Sequence, residues 1–200
     1  MAKKIILALI VLFLFIFLAL NFLGTETVNV YIDGENVTVN TNTLPNINSE
    51  DMNSEICDLA LYVMNDSNSD INTLRDGINN ICNKYGLNNA KIKIDSTIGE
   101  NQIPVIVHVD GTSMLPTLQD GQTVLINKTH DVNVGDIVVA NSDEYGGIIK
   151  RVDNINGNSI HLVSDNKNIS YELINGKIYQ LKGISTWVDI SDISGVAIEY

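Results

Sequence analysis

From Pro104 onward the chain is a succession of short β-branched runs, each closed by a turn signal, and this pattern limits the fold more than any other feature of its 200 residues. Residues 105–109, 123–127, 136–140, 147–152 and 159–163 form the runs; Asp110-Gly111, Asp120-Gly121, residues 133–135, Gly146-Gly147 and residues 156–158 separate them. Short strands at this spacing, with Gly, Asp and Asn at the turns, predict a mainly β domain over residues 99–200, built as a closed or strongly coiled sheet.

Residues 25–98 read differently. Val28, Val30 and Ile32 alternate with polar residues, Asp33-Gly34 follows, and Val37 and Val39 alternate again, which predicts a hairpin. Met52, Ile56, Leu59, Ala60 and Val63 have helical spacing, with Ser49 as the expected N-cap. Ile71, Leu74, Ile78, Ile81, Cys82 and Tyr85 have it too, from Ser69 to a stop at Gly86. Residues 90–94 complete a small α+β module with a short strand. It carries no catalytic cluster and is expected to serve as a spacer or docking module.

Residues 1–24 are expected to anchor the chain. An apolar run from Ile5 to Leu20 is extended past Asn21 by Phe22 and Leu23. At ~1.5 Å per residue this reaches about 28 Å, close to the ~30 Å of a bilayer's hydrocarbon. Lys3 and Lys4 precede it and acidic residues follow, so the N-terminus is expected in the cytoplasm and the rest outside, a single-pass arrangement. The run is longer than a usual signal-peptide core and no A-x-A-like site follows it, which favours a retained anchor over a cleaved signal peptide.

The chain has 24 acidic and 12 basic residues. With no basic cluster, nucleic acid and anionic lipid surfaces are excluded as expected partners. Of the two cysteines, Cys57 and Cys82, an outside location would permit a bridge. Their placement on paired antiparallel helices leaves an axial offset of roughly 9 Å, beyond the ~7 Å that a disulfide spans, so two buried thiols are expected. Sequons begin at Asn36, Asn65, Asn127 and Asn168, a number that an Asn-rich chain produces by chance. No Cys/His spacing suits a metal, and no cofactor is expected.

The chemistry concentrates at residues 111–117, Gly-Thr-Ser-Met-Leu-Pro-Thr. A Ser in a turn bounded by Gly111 and Pro116 can present its Oγ at the surface with backbone N–H groups nearby to hold an oxyanion. Lys150 supplies a partner. On a strand it shares a face with Ile148 and Val152 while Arg151 points the other way. That apolar flank disfavours the ammonium form, and a neutral amine near Ser113 Oγ can accept its proton and return it to a leaving group.

These residues carry a family resemblance. Residues 111–117, Asp120-Gly121, Gly135-Asp136-Ile137-Val138-Val139 and Ile149-Lys150-Arg151-Val152 resemble, in order, the motifs of signal peptidase I and the related LexA-like self-cleaving peptidases. The likeness spans about residues 104–185. It implies the coiled β-sheet fold of those peptidases, Ser113 as nucleophile and oxyanion amide, Lys150 as general base, and a structural role for Asp136. Ser164 and Asp165 are expected to support the pair, Ser164 by orienting Lys150; Met114, Pro116 and Ile149 are expected against substrate. Gly111 stands where bacterial signal peptidases often carry a hydroxyl that helps the oxyanion. The late Gly-Asp-Asn motif appears only as Ser164-Asp165-Asn166, closer to the LexA-like branch. The rival chemistry is a Ser113–His161–Asp165 triad.

The resemblance implies a membrane-anchored serine endopeptidase that cuts exported precursor proteins at their signal peptides, after small residues, and that contacts the secretion machinery. The alternatives are a dedicated or self-cleaving processor of one surface-protein partner, and an inactive scaffold used for binding. The absence of any Ala-Gly dipeptide weighs against self-cleavage at such a bond.

Overall fold

A computed structural model describes residue 13 and residues 26–43, 47–174, 176–181 and 183–200. Apart from Phe13, the expected anchor lies outside the described residues. Among these, no helix is long and apolar enough to cross a membrane.

The N-terminal module builds on a three-stranded sheet. Strands β1 (Thr27–Ile32) and β2 (Val37–Asn42) form the expected hairpin, and β3 (Lys91–Ser96) lies parallel to β1 on its other side. The turn holds because the Asp33 carboxylate accepts the N–H groups of Glu35 and Asn36. Helices α1 (Ser49–Asn65) and α2 (Ile71–Lys84) pack against each other and against the sheet. Val28, Val30, Ile32 and Ile94 meet Met52, Ile56, Ala60, Leu74 and Ile78 in one buried core. Both N-caps differ by one residue from expectation. Asn48, not Ser49, accepts the Asp51 N–H, and Asp70, not Ser69, accepts those of Asn72 and Thr73. Ser69 turns its hydroxyl to Asp66 instead. Gly86 ends α2 with φ +86°, as a left-handed C-terminal residue does. Both cysteines are free; Cys82 is buried, but Cys57 is only half-buried.

The larger unit is a seven-stranded antiparallel sheet in the order β11-β8-β7-β6-β12-β5-β4. Its strands are β4 (Pro104–His108), β5 (Thr123–Asn127), β6 (Ile137–Ser142), β7 (Gly146–Asn156), β8 (Ser159–Val163), β11 (Ser185–Asp189) and β12 (Ile193–Glu199). The hairpin β9 (Ser170–Ile174) and β10 (Lys177–Leu181) forms a sheet of its own between β8 and β11 in sequence. All five runs expected from sequence are strands; β9 to β12 are additional. Strand β12 inserts between β5 and β6, and Gly195 permits this, since a Cβ there would lie 2.6 Å from Asn127 O. Two apolar clusters fill the unit, one around Val138, Val152, Ile160 and Leu162, the other around Met114, Leu118, Val124 and Ile126.

The module rests on the β4–β5 edge. Ile103, expected in the β domain, belongs to the module's core. Lys128, just past β5, donates from its backbone to Ile103 O at 2.9 Å and from its ammonium to Asp66 O at the end of α1.

Candidate active site

The loop between β4 and β5 carries Ser113, and several backbone contacts fix its path. Val109 and Gln122 pair across its base at 2.9 Å, and Gly121 N–H returns to Val109 O. Gly111, at φ +87°, donates its N–H to Asp120 Oδ1 at 2.8 Å. Met114 and Leu118 are fully buried and act as plugs that hold the loop down. Ser113, one residue before the first plug, is left half-buried.

Strand β7 delivers the partner. Ile148, Lys150 and Val152 alternate inward, as the pleat requires, and Lys150 is only 3% exposed. Its Nζ lies 2.8 Å from Ser113 Oγ and 2.8 Å from Ile149 O. Burial pushes the Lys150 amine below the usual lysine range, because removing water penalises the ammonium form. Among the described residues the Ser113 N–H meets no acceptor. It is therefore free to donate to an oxygen placed beside the hydroxyl.

A cleft of about 360 Å³ opens over this pair, with Val107, Val139, Ile149 and Ile184 among its walls. Of the three residues expected against substrate, Ile149 is therefore in place. Met114 is not, because the plug it forms lies beneath the loop, and Pro116 is exposed and outside the cleft. Val107, Val139 and Ile184 were missed: Val107 and Ile184 lie outside the quoted motifs, Val139 lies in one that pointed to no substrate contact, and only strand pairing brings the three together.

Residues 164–166 brace the site from behind, in roles other than those expected. The Ser164 hydroxyl accepts the Ile184 N–H at 2.9 Å and so fixes a wall of the cleft, whereas the Lys150 amine bonds Ser113 Oγ and Ile149 O. Asp165 takes both Nε and Nη2 of Arg151, at 2.7 and 2.6 Å, and accepts the Thr117 hydroxyl at 2.5 Å. The guanidinium holds the Asp165 carboxyl below the ordinary carboxylate range. Asn166 grips the Ser113 loop twice, its N–H on Ser113 O and its Nδ2 on Thr112 O, both at 2.9 Å. The Ser-Asp-Asn signal was visible in sequence, but the role of its Asn was not.

The Ser113–His161–Asp165 triad is not assembled. His161 bonds Asp153 and Ser185 instead, and Asp165 is committed to Arg151 and Thr117. Asp136 is structural, accepting the Asn133 N–H at 2.8 Å in the turn before β6. No group of three His, Cys, Asp or Glu residues suited to a metal occurs among the described residues.

A buried amine against a loop hydroxyl, with a free amide beside them, is an arrangement able to carry out acyl transfer. Comparison with known proteins agrees with that chemistry. No curated protein matches the chain. The Peptidase S24-like family matches residues 81–184, just over half of it, beginning inside α2 and ending at the cleft residue Ile184. The chain belongs to this family, within the LexA and signal peptidase I-like superfamily of Ser–Lys peptidases.

Proposed function

We propose that the chain is a Ser–Lys endopeptidase, tethered to a membrane by residues 5–23, that cuts exported precursor proteins outside the cytoplasm. The observation that carries this reading is the 2.8 Å contact between Ser113 Oγ and a desolvated Lys150 amine. With the amine neutral, Ser113 Oγ attacks the scissile carbonyl carbon as its proton passes to Lys150 Nζ. The Ser113 amide takes the developing oxyanion. Lys150 then returns the proton to the leaving amine as the C–N bond breaks. Water, deprotonated by Lys150, cleaves the acyl-Ser113 ester and frees the hydroxyl.

The S24-like match, together with Ser164-Asp165-Asn166, favours a second reading in which the same chemistry serves one dedicated surface-protein partner. The experiment is cleavage of a panel of exported precursors by the full chain in detergent or vesicles, beside Ser113→Ala. Cleavage of many unrelated precursors, lost in Ser113→Ala, is the expected result; cleavage of one alone selects the dedicated processor. Equal turnover by wild type and Ser113→Ala would reject both.

A further inference from the structure

On the outer face of the sheet, away from Lys150, a second serine stands in a different hydrolytic setting. His161 Nδ1 lies 2.9 Å from Asp153 Oδ2, and His161 Nε2 lies 3.0 Å from Ser185 Oγ. An ionised carboxylate only accepts, so the ring proton on that side belongs to Nδ1, and in the neutral ring Nε2 accepts the Ser185 O–H. We propose that Ser185, His161 and Asp153 form a second nucleophilic site that hydrolyses small, exposed carboxylic esters independently of Ser113.

Three features of the fold build this arrangement. The register between β7 and β8 shifts between Val152 and Asn154, a β-bulge that sets two residues opposite His161. Bulges re-aim side chains, and this one brings the Asp153 carboxylate to the imidazole. The second feature is the pairing of β8 with β11, in which His161 faces Trp187 directly and Ser185 diagonally. Trp187 stacks on the imidazole with ring centres 4.7 Å apart, which fixes its plane and leaves the His161 side chain 20% exposed.

The third feature concerns the oxyanion. Ser164 N–H donates to Ile184 O, so the hydrogen-bonded pairs of this ladder fall at residues 184, 186 and 188. Ser185 belongs to a non-bonded pair, and its N–H faces the open side of β11, the outermost strand of the sheet. Hydroxyl and amide of one residue are thus both accessible, the same combination that Ser113 presents. Asp153 is 55% exposed, so this site is more open to water than the buried Lys150. That suits esters, whose alcohols leave readily, rather than peptide bonds.

In the reaction, Ser185 Oγ adds to the ester carbonyl carbon while its proton moves to His161 Nε2. Collapse breaks the bond to the alkoxy oxygen, and the imidazolium protonates the departing alcohol. Water then adds to acyl-Ser185, His161 taking its proton and returning it to Oγ. The balance is ester plus water to carboxylic acid plus alcohol.

The test uses the full chain carrying Ser113→Ala, so that failure of the Ser113–Lys150 peptidase would not affect the result. The probe is 4-nitrophenyl acetate, read as nitrophenolate release and as acetyl mapped by mass spectrometry. Turnover and an acetyl on Ser185 are expected. Adding Ser185→Ala or His161→Gln should lower the rate by about 100-fold, the lower range of general-base effects, and Asp153→Asn should lower it less. Ser185→Cys restores a nucleophile at the same place and should become acetylated, which separates loss of chemistry from loss of fold. An unchanged rate in Ser185→Ala, or an unlabelled Ser185→Cys, would overturn the proposal.

Discussion

The two faces of β7 treat adjacent cations in opposite ways. Lys150 points inward between Ile148 and Val152, bonds the uncharged oxygens of Ser113 and Ile149, and its amine is pushed down by burial. Arg151 points outward to a bidentate carboxylate, and its guanidinium is pushed up by Asp165. One residue of sequence separates an amine pushed toward neutrality from a permanent charge. The pleat decides which of the two is buried, and burial then acts on an amine that can lose its proton, as a guanidinium cannot.

The strongest way to break this comparison is to remove the inner amine. Lys150→Ala is expected to lower precursor cleavage by about 100- to 10,000-fold, the range of general acid–base catalysis. Lys150→Arg should fail nearly as badly, because guanidinium keeps its proton and cannot act as the base. The wild-type rate should rise with pH along a limb centred below the ordinary lysine value of about 10.4, since only the neutral amine accepts the Ser113 proton. A limb at or above that value would show that burial does not tune Lys150.

The outer face is tested by stability. Asp165 and Arg151 are 13% and 30% exposed, so water screens their pairing only in part. Asp165→Asn should cost about 1.5–3 kcal/mol at neutral pH, as expected for hydrogen bonds to a charged group, read from denaturant unfolding. The folded-state pKa of Asp165 is lowered, so its contribution is present above the unfolded value of about 3.9 and is lost as pH falls through the folded value. Wild type and Asp165→Asn should therefore converge in acid. Cleavage should fall as well, because Asp165 ties Arg151 to Thr117 in the loop that carries Ser113.

What sequence made legible here was local. The alternation Ile148-Lys150-Val152 placed the amine inward, and turn signals marked five strands, because both are encoded within a few residues. Cap choice was ambiguous by one position, since Asn48 and Ser49, like Ser69 and Asp70, are all competent cap residues. The insertion of β12 was invisible, because it pairs residues 193–199 with strands some 50 to 70 positions earlier. Met114, expected against substrate, is instead fully buried; holding down the Ser113 loop requires an apolar plug, and Met114 fills that need. His161 was weighed against Ser113, yet its partners lie on the opposite face, reached through a bulge that no local pattern announces.

The smallest expected effect sharpens the comparison most. A buried amine burdens the fold whenever it is protonated. Because the folded-state pKa of Lys150 is lowered, the unfolded chain binds more protons between the folded and unfolded values, and stability rises with pH across that window. Lys150→Met keeps the length of the side chain among Ile148 and Val152 and removes the polar end. It should stabilise the protein by about 1 kcal/mol, or roughly 2–4 °C in Tm for a chain of this size, while abolishing cleavage. The gain should be greatest below the folded pKa of Lys150 and shrink as pH rises through the window up to the ordinary lysine value, whereas the deficit of Asp165→Asn grows in acid, as its carboxyl ionises. Thermal unfolding of both variants from acid to pH 10 would show two differences from wild type that both fall with pH, one in acid and one in alkali. A Lys150→Met difference that stays flat up to pH 10 would mean that the inner face is wet, and the distinction between the two sides of β7 would fail.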